Sequence, residues 1–283
     1  MNIIQSNDDG WAEINIRTLF DTFEDSGANV VLSAPAENKS GSGSLDFPPT
    51  EREEPCQFDS CPAASPPVTE PAARLNYVNS FPVTSIKHGI DDVAPNYMSN
   101  PGTAIAVTGP NVGSNLNVAV FVSGTVGAAT FAAHERGIAA IAFSGASGDP
   151  TPFDAPETPL YSRIYADLAV NLTETMHAAS APYLPEDTYL NVNFPEVTES
   201  RCNDAAQFEF VLTRIFPRVS IVMPEDVETC GSTTLPTETS VVNNDDGCYV
   251  SVSVGNAGSK ADASPEEQAQ VLDVLQGLLS CVS

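Results

Sequence analysis

The sequence predicts an α/β protein, a three-layer parallel-sheet core followed by an antiparallel β arm and a terminal helix. Three observations predict it. Through residue 195, short runs rich in Ile, Val and Ala alternate with longer stretches of helical periodicity, the pattern of βαβ units with helices on both sheet faces. Beyond Pro195, strand signals follow one another without helices between them. One capped helical stretch then closes the chain.

Residues 2–5 read as a buried strand, and 12–25 as an amphipathic helix with Ile14, Leu19, Phe20 and Phe23 on its core face. Residues 29–34 form a second apolar strand, ending at Ala34-Pro35, and the Ser- and Gly-rich 37–45 is a loop. From 46 to 71, Pro, Ser, Glu and Cys mark a surface excursion. Regular structure resumes near 74–78, and a helix is predicted over 83–90, before an irregular or inserted 92–102. Residues 104–108 are a short strand ending in Gly109-Pro110-Asn111. The 118–122 stretch is apolar, 124–136 is an Ala-rich helix stopped by Gly137, and 139–143 is the next buried strand. Ile164, Leu168 and Leu172 recur every four residues, giving a helix over 162–178, and 189–194 is a further strand. Strand signals at 208–213, 219–223 and 249–254 make up the arm. Ser264-Pro265-Glu266-Glu267 is a capping box with Pro at the first helical position, and the helix it opens carries Val271, Leu275 and Leu278. The expected organisation is a core over 1–195, a β arm over 196–262 and a helix over 263–283. A second Asn-Asp-Asp-Gly, 244–247, precedes a strand instead of following one and reads as a hairpin turn.

The chain has 283 residues, enough for one large α/β domain or two smaller ones, and is 42% apolar, enough for a substantial core. Its net charge of −26 repels nucleic-acid phosphates and argues against a polynucleotide partner. A small phosphorylated substrate is compatible with that field only where a metal and backbone donors offset it locally. The acidity also suits mildly acidic surroundings. No apolar run approaches the ~20 residues that span a bilayer, so no membrane partner is expected. Six cysteines without a tight C-x-x-C pair argue for three disulfides and an oxidising compartment, not a zinc site. Cys56 and Cys61 share one Pro-rich loop and are expected to pair. The partners of Cys202, Cys230, Cys248 and Cys281 are open at this level. Asn171-Leu172-Thr173 and Asn38-Lys39-Ser40 are glycosylation sequons, in keeping with secretion. The chain opens directly on its first strand, so we expect a secretion leader to have been removed, with Met1 a start introduced for expression.

The chemistry concentrates at strand ends. Ser6-Asn7-Asp8-Asp9-Gly10 sets two adjacent carboxylates at the carboxyl end of the first strand, where open α/β sheets bind ligands. Such close like charges are relieved by a hard cation, Mg²⁺, Mn²⁺ or Ca²⁺. Three further segments should end on the same edge: Asn38-Lys39-Ser40-Gly41, Gly109-Pro110-Asn111-Val112-Gly113-Ser114-Asn115, and Ser123-Gly124-Thr125-Val126. Taken singly, each has a plainer explanation. The Asp pair suits a helix N-cap turn, Ser40 a solvated loop, Asn111 and Asn115 left-handed turns, and Ser123 or Thr125 a helix cap. Their convergence favours a metal shell beside a helix N-terminus that can cradle phosphate, with Gly124 allowing close approach. Together they describe metal-assisted attack of water on a phosphate ester.

In order and rough spacing these four segments resemble the SurE family of metal-dependent phosphatases and nucleotidases. The resemblance covers about residues 2–195 and continues through Gly247-Cys248-Tyr249-Val250-Ser251-Val252. The Gly-Pro-Asn-Val-Gly-Ser-Asn form and the cysteines look most like its secreted fungal branch, some members of which are acid phosphatases. The resemblance implies a Rossmann-like core and an extended β arm that helps form dimers or higher homo-oligomers. It implies a divalent metal, commonly Mg²⁺ or Mn²⁺, held by Asp8, Asp9, Ser40 and Asn111, with Asn115, Ser123, Gly124 and Thr125 around the phosphate. The implied reaction is hydrolysis of nucleoside 5′- and 3′-monophosphates, with Asp8 or Asp9 acting on water and Asp8 taken as the more directly catalytic. Departures from the family pattern are Ser80-Phe81-Pro82-Val83-Thr84, where bacterial members tend to carry Gly-Thr-Pro and an acid, and Pro110 in place of Ile. A glycan on Asn38 would crowd the metal loop, so Asn38 is expected to be unmodified.

His88, His134 and His177 share no motif and read as ordinary helix residues. Gly41-Ser42-Gly43 is too short for the nucleophile elbow of a Ser-His-Asp hydrolase. A nucleotide-dependent oxidoreductase lacks its glycine fingerprint after the first strand. The remaining rivals are a broad-specificity acid phosphatase and a catalytically silent binding protein of the same fold, which would not need all four metal-shell residues.

Overall fold

A computed structural model describes residues 1–219 and 224–282. The chain runs β1 (Asn2–Ser6), α1 (Ile14–Asp25), β2 (Asn29–Pro35), β3 (Val68–Ala72), β4 (Leu75–Val78), α2 (Pro82–His88), α3 (Ala94–Tyr97), β5 (Ile105–Val112), α4 (Gly124–Arg136), β6 (Ala140–Gly145) and α5 (Leu160–Ala178). It continues through β7 (Thr188–Phe194), β8 (Phe208–Thr213), α6 (Glu238–Val242), β9 (Cys248–Asn256), α7 (Pro265–Leu275) and β10 (Leu279–Ser280). All ten strands form one sheet, ordered β10-β8-β9-β7-β6-β5-β1-β2-β4-β3.

Alternation along β1 builds the three layers. Ile3 packs with Leu19, Phe23 and Ile105 and with Leu168 and Leu172 of α5 on one face. Its neighbour Ile4 packs with Val31, Ile86, Val126 and Ala129 on the other, against α2 and α4. Burying each such Ile is worth roughly 1.5–3 kcal/mol, which fixes the register, since a one-residue slip would exchange the two faces. β1 pairs in parallel with β2 on one side and β5 on the other, so the order reverses there and a crevice opens at the strand carboxyl ends.

The α/β class and the mostly parallel sheet agree with the sequence reading, and several elements differ in detail. The expected strand 104–108 runs on to Val112. Its register on β6 shifts between Thr108 and Asn111, so Gly109-Pro110 forms a bulge inside the strand instead of a turn after it. Gly109 has φ +98°, and a β-carbon there would lie 2.2 Å from the Phe143 carbonyl oxygen, so only glycine fits. The helix over 83–90 ends at His88 and passes through a π-turn, Gly89–Val93, into α3. The apolar 117–121 is a 3₁₀ turn. β3, inside the excursion, pairs antiparallel with β4.

The C-terminal strands extend the sheet and do not stand off from it. β9 is antiparallel to β7, whereas β8 and β10 run parallel to their neighbours. A short helix, α6, lies between β8 and β9, where none was expected. Asn244–Gly247 consequently joins a helix to a strand and is not a hairpin turn, and Arg201 braces it through the Asn244 and Gly247 carbonyls. Of the signal at 219–223, residues 220–223 lie outside the described residues. Three disulfides form: Cys56–Cys61 as expected, with Cys202–Cys248 and Cys230–Cys281 completing the set. Cys56 and Cys61 are buried in the main core, so the excursion is pinned to the body.

Candidate active site

Asp8 and Asp9 leave the end of β1 in a turn that Asn7 closes on itself, its amide donating to and its oxygen accepting from Gly10. Both carboxylates are 2% exposed. The N-terminus of α4 faces Asp8. Gly124 N donates to Asp8 Oδ2 at 2.9 Å and Thr125 Oγ1 to Asp8 Oδ1 at 2.7 Å. A β-carbon on residue 124 would lie 2.7 Å from Ser42 Oγ and 2.8 Å from Asp8 Cβ, so glycine is needed for this approach. Ser123 Oγ caps the helix by accepting from Val126 N at 3.1 Å.

Past the β5 bulge, Val112 N donates to Asp9 Oδ2 at 2.8 Å, which ties the second carboxylate to the end of the neighbouring strand. The Asn111 amide donates to the Val112 and Gly113 carbonyls, turning its Oδ1 away from them. Asn115 is held by three residues: Asn193 Oδ1 accepts from its N–H at 2.8 Å and Asn193 Nδ2 donates to its carbonyl at 3.3 Å, Asn191 donates to the same carbonyl at 2.9 Å, and its amide donates to Ser144 Oγ at 2.8 Å. The Asn38–Gly41 loop sits on Asp8 through Lys39 N, which donates to the Asp8 carbonyl at 2.6 Å. Ser40 is exposed in that loop, and Asn38 Oδ1 accepts from Ser40 N.

The carboxylates are strained electrostatically. Burial raises Asp8, against the hydrogen bonds from Thr125 and Gly124 that favour its ionised form. Burial and then the adjacent Asp8 charge hold Asp9 well above the usual carboxylate range. A hard cation relieves both causes. Among the described residues no cluster of three or more His, Cys, Asp or Glu could hold a metal, so a shell here needs neutral oxygens. Asp9 accepts from Val112 N through Oδ2 and Asn111 donates through its amide, so neither Oδ1 is used in these bonds, and Ser42 Oγ is buried beside Gly124 without a partner among the described residues. These donors fit an oxygen-seeking divalent ion.

Several participants escaped the sequence reading. Asn191, Asn193 and Ser144 anchor Asn115 from strands that looked purely structural. Glu13 is fully buried, pushed up to about 7 by burial, and caps α1 through Asn15 N. Gln57, in the excursion, reaches Gly10, where a β-carbon would lie 2.0 Å from its Oε1. The cysteine pair was the signal that the excursion is anchored. Nothing in the sequence marked its target. His88 and His134 pair with surface Asp92 and Asp187, and the His177 ring lies against Tyr183.

An acidic pair at a sheet switch point, facing a helix N-terminus, defines an α/β protein whose candidate site lies at the strand carboxyl ends, where such sheets bind ligands. The chain belongs to the SurE family: the sequence model of Survival protein SurE matches residues 3–221. It is 30% identical to an acid phosphatase of Yarrowia lipolytica over 96% of this chain and 83% of that protein. It is 28% identical to a 5′-nucleotidase SurE of Desulfovibrio desulfuricans over 78% of this chain and 74% of its relative. The crystal structure of the SurE protein from Aquifex aeolicus superposes with a TM-score of 0.64 at 21% identity, covering 98% of this chain and 100% of that one, and so shares the fold.

Proposed function

We propose that this chain is a metal-dependent phosphomonoesterase that hydrolyses nucleoside 5′- and 3′-monophosphates to nucleoside and phosphate. The observation that carries the reading is the grip of the α4 N-terminus on Asp8 beside Asp9. It brings a carboxylate that can handle water to a helix N-terminus, whose dipole favours an anion. The SurE nucleotidase and acid phosphatase relatives support the same chemistry.

A divalent cation, Mg²⁺ or Mn²⁺ with Ca²⁺ an alternative, held by Asp8, Asp9, Ser40 and Asn111 would polarise the phosphoryl oxygens and offset their charge. In this reading Ser123, Gly124, Thr125 and Asn115 receive the phosphate. Asp8, oriented by Thr125, takes the proton of the attacking water, and Asp9 stays with the cation. A broad acid phosphatase is the second reading, favoured by the likeness to the Yarrowia lipolytica protein across nearly the whole chain. Three disulfides support secretion. Assembly into homodimers or larger homo-oligomers belongs to the same proposal.

The test is phosphate release from AMP, 3′-AMP and p-nitrophenyl phosphate, with EDTA and with added Mg²⁺ or Mn²⁺. Metal-dependent release ranks the substrates and separates the two readings. Release indifferent to EDTA rejects the metal assignment.

A further inference from the structure

Outside the acidic turn, Glu238, at the start of α6, is as fully buried as Glu13, at 0% exposure. It lies beyond the residues matched by the family model. Three elements donate to it: Asn117 N at 2.7 Å, Asn191 Nδ2 at 2.9 Å and Ser253 Oγ at 3.2 Å. Asn191 donates from the same amide nitrogen to the Asn115 carbonyl, and Asn193 engages both the N–H and the carbonyl of Asn115. Residues 115 and 117 therefore hang from one buried polar network, and 117–121 leads directly into Ser123 and the α4 N-terminus.

We propose that Glu238 is a positioning residue for phosphate, holding the 115–117 loop so that Asn115 and the α4 N-terminus present a fixed anion site. The proposal rests on the phosphomonoesterase reading given above. Glu238 is itself fixed from the C-terminal strands, its N–H donating to the Arg214 carbonyl at 2.9 Å. The Arg214 guanidinium is locked between buried Asp226 and Asp262. The segment after β8 thus completes the phosphate side of the site as well as extending the sheet. Burial pushes the Glu238 carboxyl up to about 8, against the hydrogen bonds from Asn117, Asn191 and Ser253 that favour its ionised form.

The test uses the full chain with added Mg²⁺ or Mn²⁺, inorganic phosphate as competitive inhibitor and p-nitrophenyl phosphate as substrate. Glu238→Ala should raise both KM and the phosphate inhibition constant about tenfold, the scale of losing a buried hydrogen bond, while kcat changes less than about threefold. Glu238→Gln, which keeps an oxygen for Asn117 N, should recover most of the phosphate affinity. If the alanine variant does not fold, Glu238→Asp, too short to reach Asn117 N, should show the same KM shift. A folded alanine or aspartate variant that binds phosphate like the wild type overturns the proposal. A loss confined to kcat, or failure of every variant to fold, overturns it equally. Wild-type protein that neither hydrolyses a phosphomonoester nor binds phosphate overturns the proposed function first, and this inference with it.

Discussion

Thr125 Oγ1 donates to Asp8 Oδ1 at 2.7 Å across 117 residues of sequence, so the helix that would receive the phosphate also aims the carboxylate at it. Removing the carboxylate should cost far more than removing its guide. Asp8→Asn is expected to lower kcat by ~10²-fold or more, the scale of losing a positioned base, and Thr125→Val by about tenfold. Steady-state turnover on AMP, with metal occupancy measured in each variant, checks both. A fully metallated, folded Asp8→Asn enzyme with unchanged turnover would refute the role.

The approach of α4 to the acidic turn tolerates no side chain. A β-carbon at residue 124 would meet Ser42 Oγ, Asp8 Cβ and Pro82 Cγ at 2.7–2.8 Å. Gly124→Ala should therefore destabilise the fold by ~1–3 kcal/mol and cut activity more than stability, because Asp8 must move. Denaturant unfolding alongside kcat/KM would show it. Wild-type values for both would mean that the turn yields without consequence.

Chelation should abolish turnover while leaving the fold intact, since the sheet and its three disulfides do not depend on the acidic pair. Circular dichroism after EDTA, followed by activity rescue with graded Mg²⁺ or Mn²⁺, is the measurement. A protein that unfolds on chelation would assign the ion a structural role.

Stability should fall as pH rises from mildly acidic to mildly alkaline. Burial raises Glu13 from 4.5 to about 7 and Glu238 from 4.5 to about 8. Below 4.5 both are protonated whether folded or unfolded. Above it the unfolded chain releases protons that the folded chain keeps, so unfolding gains until pH passes each folded value. Glu37 and Asp91, held low by Lys39 and Arg136, act in the opposite sense but only near and below their ordinary range, and solvent screens them. The melting temperature should drop by ~5 °C or more between pH ~5 and ~8, with a shallower drop in Glu238→Gln. A melting temperature that rises over this window would contradict the burial argument.

Cys202–Cys248 closes a loop with a sequence separation of 46 and ties the segment after β7 to the start of β9. Replacing both cysteines by serine should lower stability by about 4 kcal/mol on the loop-entropy estimate, against about 2 for Cys56–Cys61, with its separation of 5. Equilibrium unfolding of the two double variants ranks them, and the reverse order would show that core burial of Cys56 and Cys61 outweighs loop length.

The sequence by itself determined what depends on neighbours along the chain. Alternation gave the strands of a parallel sheet, Ser123 and Gly137 bounded α4, Ser264 and Glu267 capped α7, and the Asp8-Asp9 turn lay at the end of its strand. These follow from side-chain periodicity and local hydrogen bonding, which act within a few residues. Tertiary structure alone decided what joins distant segments. It bent β5 at Gly109 so that Val112 reaches Asp9. It placed Gln57 on Gly10, chose the partners of Cys202 and Cys230, and carried Glu238 from beyond β8 to the loop of Asn115. Glu238 sits in a short polar stretch that reads as surface. Only packing of α6 against β7 and β9 removes it from water, and burial is a property of the assembled sheet that no local pattern encodes.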